Sequence, residues 1–103
     1  MENYIEIKKK YLVFREDAKN LTQIIQKKVK DNNLKNIVID FSRVVFMSRS
    51  FIDEFLNSRD ELSKKSIKIQ PVNLKADLQK FISRVKETKN RIRETLLQKD
   101  LSR

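Results

Sequence analysis

The sequence contains no glycine, no cysteine and no histidine, and only one proline. Each absence closes a class of chemistry. Phosphate-cradling loops of the G-x-G-x-x-G or Walker type need glycine, because their backbone takes positive φ and approaches the phosphate closely. Without cysteine there is neither a disulfide framework nor a thiolate metal site. Without histidine the usual general base near neutral pH and the commonest metal ligand are gone. A carboxylate pair or a Ser-Lys pair is the chemistry left open, and no spacing in the chain supports either. The expectation is a protein that is not an enzyme and uses no cofactor and no metal. Long apolar runs are missing as well. No stretch approaches the roughly 20 apolar residues that cross a bilayer, and the opening MENYIEIKKK has no apolar core of signal-peptide type. The expected compartment is the cytoplasm, with no membrane partner.

What is present is charge. The 103 residues carry a formal net charge of +10, and their number fits one domain with a modest core. Such a charge describes either a solvated, lysine-rich surface or one that meets an anionic partner, a nucleic acid or an acidic protein face. Aromatic residues interleaved with the cations would favour nucleic acid. Most phenylalanines here occupy apolar, core-like positions.

The chain is organised around the stretch from Ile37 to Leu56, IVIDFSRVVFMSRSFIDEFL. Ile37-Val38-Ile39 is a buried-strand run stopped by Asp40. Val44 to Met47 follows a short polar break, and Ser48-Arg49-Ser50 leads into an amphipathic segment. This reads as strand, loop, helix N-terminus and helix, the place where open α/β sheets put their sites.

On the N-terminal side, Tyr4 to Ile7 alternates, and Tyr11 to Phe14 is a short apolar run. Two strands joined by a tight turn at Lys8 to Lys10 fit this pattern. Arg15 to Asp31 predicts a helix, with Asp17 as N-cap and Leu21, Ile24, Ile25 and Val29 as its apolar stripe. Asn33 closes it in place of the missing glycine. The continuous run Ile37 to Phe41 predicts a central strand covered on both faces, and the order strand, helix, strand predicts parallel pairing. Ser50 is expected to cap a second helix, with Asp53 three residues on completing a near capping box. Asp53 and Glu54 then fall in the first turn, where the helix dipole favours negative charge.

On the C-terminal side, Ser66 to Val72 predicts a short strand and Asn73 the cap of a third helix. Leu74, Leu78, Phe81, Ile82 and Val85 form the buried stripe of that helix. Ile92, Leu96 and Leu101 carry a thinner stripe into a tail. Residues 73–103 hold nine Lys/Arg against four Asp/Glu. The expected fold is α/β, a small mixed sheet of about four strands with helices packed on it. Its order is β-β-α-β-α-β-α, with an extended basic C-terminal helix. The expected division is a domain at 1–88 and a basic helical extension at 89–103.

The central stretch resembles the STAS domain, the fold of bacterial anti-sigma-factor antagonists. In that family an apolar strand ends in Asp-Leu-Ser, followed by Val, by Phe-Ile-Asp-Ser-Ser-Gly, and by an apolar helix. Ile37 to Ser42 matches the strand and its Asp, and Val44 with Phe46-Met47 matches the approach to the turn. Phe51 to Leu56 is similar to a STAS-like branch in which a Ser-Phe-x-x-Glu-like stretch opens the helix. Ile67-Lys68-Ile69, Asn73 and Phe81 to Val85 also fit that branch. In the main family the first serine of the Ser-Ser pair is phosphorylated by a partner kinase. Arg49 stands at that position here, Ser48 replaces the Asp and Phe51 the Gly. The resemblance implies a non-enzymatic regulatory module of a partner-switching system, without the usual phosphoacceptor. The partner it implies is a protein, of the histidine-kinase-type ATPase or anti-sigma-like kind.

The candidate contact residues are therefore Asp40, Ser48, Arg49, Ser50, Asp53 and Glu54. Capping is the structural role open to both serines; a phosphate on either would sit near a helix N-terminus, within reach of Arg49. Arg49 is a solvated loop cation or a bidentate anchor for carboxylate or phosphate. Asp40 is expected to cap a turn or to hold the loop through backbone N–H groups, a structural role rather than a catalytic one. Adjacent on a helix, Asp53 and Glu54 point apart and form no acid/base pair. The alternative function is nucleic-acid binding through the basic C-terminal helix, with Lys86, Lys89, Arg91 and Arg93 on the phosphates. Homo-oligomerisation through the apolar stripe of the tail is a third reading.

Overall fold

The computed structural model of the chain describes the backbone of residues 3–101 and the side chains of residues 3–92. The elements are β1 (Tyr4–Glu6), β2 (Tyr11–Leu12), α1 (Arg15–Asn32), β3 (Asn36–Asp40), β4 (Phe46–Met47), α2 (Arg49–Lys64), β5 (Lys68–Val72) and α3 (Ala76–Leu101). Among these residues no helix is long and apolar enough to cross a membrane.

The fold is α/β, but the strands form two small sheets instead of one mixed sheet of four. β3 lies between β1 and β5, and β2 pairs separately with β4. All three pairings are parallel. The expected hairpin at Lys8 to Lys10 is absent. The segment lacks the glycine or asparagine that tight hairpin turns require. Instead β1 and β2 each find a parallel partner that buries their apolar residues: Ile5 aligns with Ile39, and Leu12 with Met47. Val44 to Met47, read as an approach to a turn, contains the strand β4.

Two parallel crossovers place α1 against α2, and α2 against β5 and α3. Ile5, Ile37, Ile39 and Ile69 form the buried row of the larger sheet. Tyr4 and Val38, on the opposite face, are half-buried, and Gln70 is exposed. The central strand is thus fully buried on one face and only partly covered on the other, where Asp40 is buried and Val38 half-buried. Its uninterrupted apolar run arises because Val38 separates two fully buried isoleucines. The helices add Ala18, Leu21, Ile25, Phe51, Ile52, Phe55, Leu56, Leu62, Leu78 and Val85 to the core. Phe55 meets Phe41 edge-on at 6.0 Å and stacks on Phe51 at 5.9 Å. Ile24, placed by its spacing in the α1 stripe, is largely exposed.

Among the described residues three left-handed turns are made without glycine, at Asn33 (φ 51°), Ser66 (φ 65°) and Asn73 (φ 59°). Asparagine tolerates this region better than most residues. At Asn33 the expected closure of α1 forms, with Leu34 N–H donating to the Val29 carbonyl at 3.2 Å. At Ser66 the same six-residue closure runs from Ile67 N–H to the Leu62 carbonyl at 2.9 Å, joined by Ser66 N–H to Ser63 at 2.9 Å.

The N-caps differ from those expected. Phe14 is the N-cap of α1 and Asp17 its third helical residue. The Asp17 carboxylate reaches back to accept the N–H groups of Phe14 (3.1 Å) and Val13 (3.2 Å). Ser48, not Ser50, caps α2. Phe51 therefore takes the third helical position, no capping box forms, and Asp53 and Glu54 fall beyond the first turn. Asn73 precedes α3, which begins at Ala76, and its side chain turns to the strand end. α3 passes through position 88 without a break.

Candidate functional site

Asp40 ends the central strand and is the one buried charged residue in the described core, 6% exposed. Its carboxylate accepts from the Tyr4 hydroxyl of β1, from Asn73 Nδ2 at 3.0 Å and from Ser42 N–H at 2.9 Å. One carboxylate so joins the edge strand β1, the β3–β4 loop and the β5–α3 loop. The Tyr4 hydrogen bond, then those of Asn73 and Ser42, hold its carboxyl well below the usual carboxylate range. The same bond pushes the Tyr4 hydroxyl up to about 12. Lys75 closes the loop from outside, donating to the carbonyls of Ser42 (3.0 Å) and Val44 (2.9 Å). Asp40 is thus an anchor of the loop geometry, with its acceptor sites occupied from within the chain.

A second constellation lies at the start of α2. Ser48 N–H donates to the Leu12 carbonyl at 2.9 Å, and its hydroxyl donates to the Val13 carbonyl. The same hydroxyl oxygen accepts the Phe51 N–H at 3.0 Å. Ser48 is consumed in tying β2 to the helix start. Arg49 and Ser50 are different. Both are exposed, and neither side chain has a hydrogen-bond or ion-pair partner among the described residues. With Arg15 and Asp53 they line a shallow concavity of about 240 Å³.

Asp53 and Glu54 are engaged. Arg15 of α1 approaches the Asp53 and Glu54 carboxylates at 3.4 Å. Lys89 of α3 sits 3.0 Å from Asp53 and donates to Asn57 Oδ1 at 2.6 Å. Lys89, followed by Arg15, lowers the Asp53 pKa against the opposing cost of burial. Asp53 therefore links all three helices at this end of the molecule. Arg15 is the member that the sequence reading missed; at the first position of a helix, nothing in its spacing distinguishes it from any surface arginine.

The residues picked out in the chain thus fall into separate groups. Ser48, Arg49, Ser50, Asp53 and Glu54 share the N-terminal part of α2, whereas Asp40 serves the strand end. Of the tail cations, Lys89 is committed to Asp53 and Asn57, and Arg91 pairs with Glu87 at 2.7 Å. Lys86 is exposed, and the side chain of Arg93 lies outside those described. No family model matches the chain, and no curated protein or solved structure matches it.

Proposed function

We propose that this chain is a non-enzymatic, STAS-like regulatory module that binds another protein through the loop and first turns of α2, with Arg49 as the anchor. The observation that carries this reading is the contrast within one turn. Ser48 is fully used inside the chain, whereas Arg49 and Ser50 face solvent without side-chain partners among the described residues. An arginine in that setting offers a bidentate fork to a carboxylate or phosphate of a partner. Ser50 rather than Ser48 has the free hydroxyl, so any modification that switches the contact belongs there. The partner is of the kind that the motif implies, a histidine-kinase-type ATPase or an anti-sigma-like factor.

The test is a titration of such a partner, purified after co-isolation with the full chain, against the wild type, Arg49→Glu and Ser50→Asp. The expected result is a loss of about tenfold or more in affinity, about 1.4 kcal/mol, for each variant. A partner that binds both variants as tightly as the wild type contradicts the reading.

A further inference from the structure

The face above the smaller sheet carries aromatic rings that the core does not use. Tyr11 is 61% exposed, Phe14 68% and Phe46 46%. Tyr11 and Phe46 are aligned partners across the parallel pair, while their neighbours Leu12 and Met47 are buried beneath. Tyr11 and Phe46 therefore share the outer face of a two-stranded ribbon. Neither makes a ring contact with the other or with Phe14 among the described residues, so the ring faces stay open.

One cation borders this face, and another lies two residues before it in the chain. The Lys10 carbonyl accepts the N–H groups of Val45 (2.8 Å) and Phe46 (3.2 Å), which sets Lys10 beside β4. Lys8 and Lys10 are exposed and have no acidic partner among the described residues, whereas Lys9 is paired with Asp17 at 2.7 Å. The carboxylates around the ribbon are largely neutralised: Asp17 by Lys9, and Asp53 and Glu54 by Arg15 and Lys89. Glu16 alone in this stretch has no described partner.

We infer that the outer face of the β2–β4 ribbon, with Tyr11 and Phe46 as stacking platforms and Lys10 beside β4 as a phosphate contact, binds single-stranded nucleic acid. Open ring faces next to unpaired cations are what a single strand recognises, since every base has a π face and every link a charge. A peptide anchor would need a pocket for its side chains. These rings line neither the cleft of about 300 Å³ floored by Ile5, Leu12, Leu21 and Phe51 nor the concavity at Arg49. A second copy would bring two lysine clusters together in a chain of net charge +10. The site is distinct from the basic tail and does not rest on the protein-binding reading of Arg49.

The experiment is fluorescence anisotropy of labelled oligo-dT and oligo-U with the full-length chain, from low to physiological salt. Saturable binding is expected, weakening with salt at a slope of about −0.7 per phosphate neutralised. Tyr11→Ala and Phe46→Ala should each weaken it about five- to a hundredfold, the range of one lost stacking contact. Phe46→Tyr keeps a ring and should keep the affinity. Lys10→Gln should flatten the salt slope. Circular dichroism checks that each variant is folded. The inference is overturned by no binding at low salt. It is also overturned if affinity is indifferent to the rings but falls with Lys86→Gln, or if polyglutamate binds as tightly with the same dependence on the rings, which would mark an acidic protein as the ligand.

Discussion

Asn73 donates from Nδ2 to Asp40 across 3.0 Å, joining the left-handed turn after β5 to the end of the central strand. Tyr4 and Ser42 meet the same carboxylate from the other sides. The consequence is directional. Asp40 has a depressed pKa, so the stability it contributes is fully present above its unfolded value of about 3.9 and is lost as pH falls through the lower folded value. Stability measured by urea unfolding should fall as the solution is acidified below about pH 4. Asp40→Asn should make that fall shallower by one proton while lowering stability at neutral pH. An unchanged acid slope in the variant would show that the carboxylate is not protected in this way.

The other half of the pair titrates at the alkaline end. Tyr4 is held up to about 12 by Asp40, against an ordinary value of about 10. Its stabilising contribution is therefore present below pH 10 or so and lost as pH rises through the folded value. In a Tyr11→Phe variant Tyr4 is the remaining tyrosine, and its tyrosinate absorbance should rise with a midpoint near 12. Adding Asp40→Asn should bring that midpoint down.

The two serines of the turn should separate cleanly. Ser48→Ala removes the cap of α2 and leaves the Phe51 N–H and the Val13 carbonyl without their partner, at a cost of about 1 kcal/mol. Ser50→Ala touches nothing in the fold and should stay within about 0.5 kcal/mol of the wild type. Denaturant midpoints at equal m-value decide this. Equal losses at both positions would mean that the cap is not where the hydrogen bonds place it.

The link between α2 and α3 is testable as a cycle. Lys89 and Asp53 are partly exposed, so their coupling in a double-mutant cycle with Lys89→Met and Asp53→Asn should be about 0.3–1 kcal/mol and should shrink with added salt. A coupling of zero would detach Lys89 from Asp53, returning it to the solvated face.

Much of this architecture was legible in the chain. The alternation of strand and helix, the stripe of Leu21 and Ile25, and the closure at Asn33 follow from periodicity and from asparagine's tolerance of the left-handed region. That the strands pair in parallel was legible from the strand-helix-strand order; which strands pair was not, because β2 and β4 are two residues each and carry no periodic signal. Ser48 and Ser50 are equivalent as candidate caps in sequence; the choice is made by Leu12 and Val13, distant in the chain, which bond Ser48. Phe14 and Phe46 look like core residues by composition, and only the fold shows that they face outward. Arg15 acquires its role from two helices meeting. Core positions were easier: Ile39, fully buried against Ile5 and the helices, should lose about 2–5 kcal/mol on Ile39→Ala.

The central claim is that Arg49, exposed at the start of α2, is the anchor for a protein partner. Isothermal titration of the purified partner against the wild-type chain, Arg49→Glu and the distant control Lys86→Gln tests it most directly. The account predicts an affinity loss of about tenfold or more for Arg49→Glu and wild-type affinity for Lys86→Gln. Equal binding by Arg49→Glu and the wild type, or a loss confined to Lys86→Gln, would contradict it.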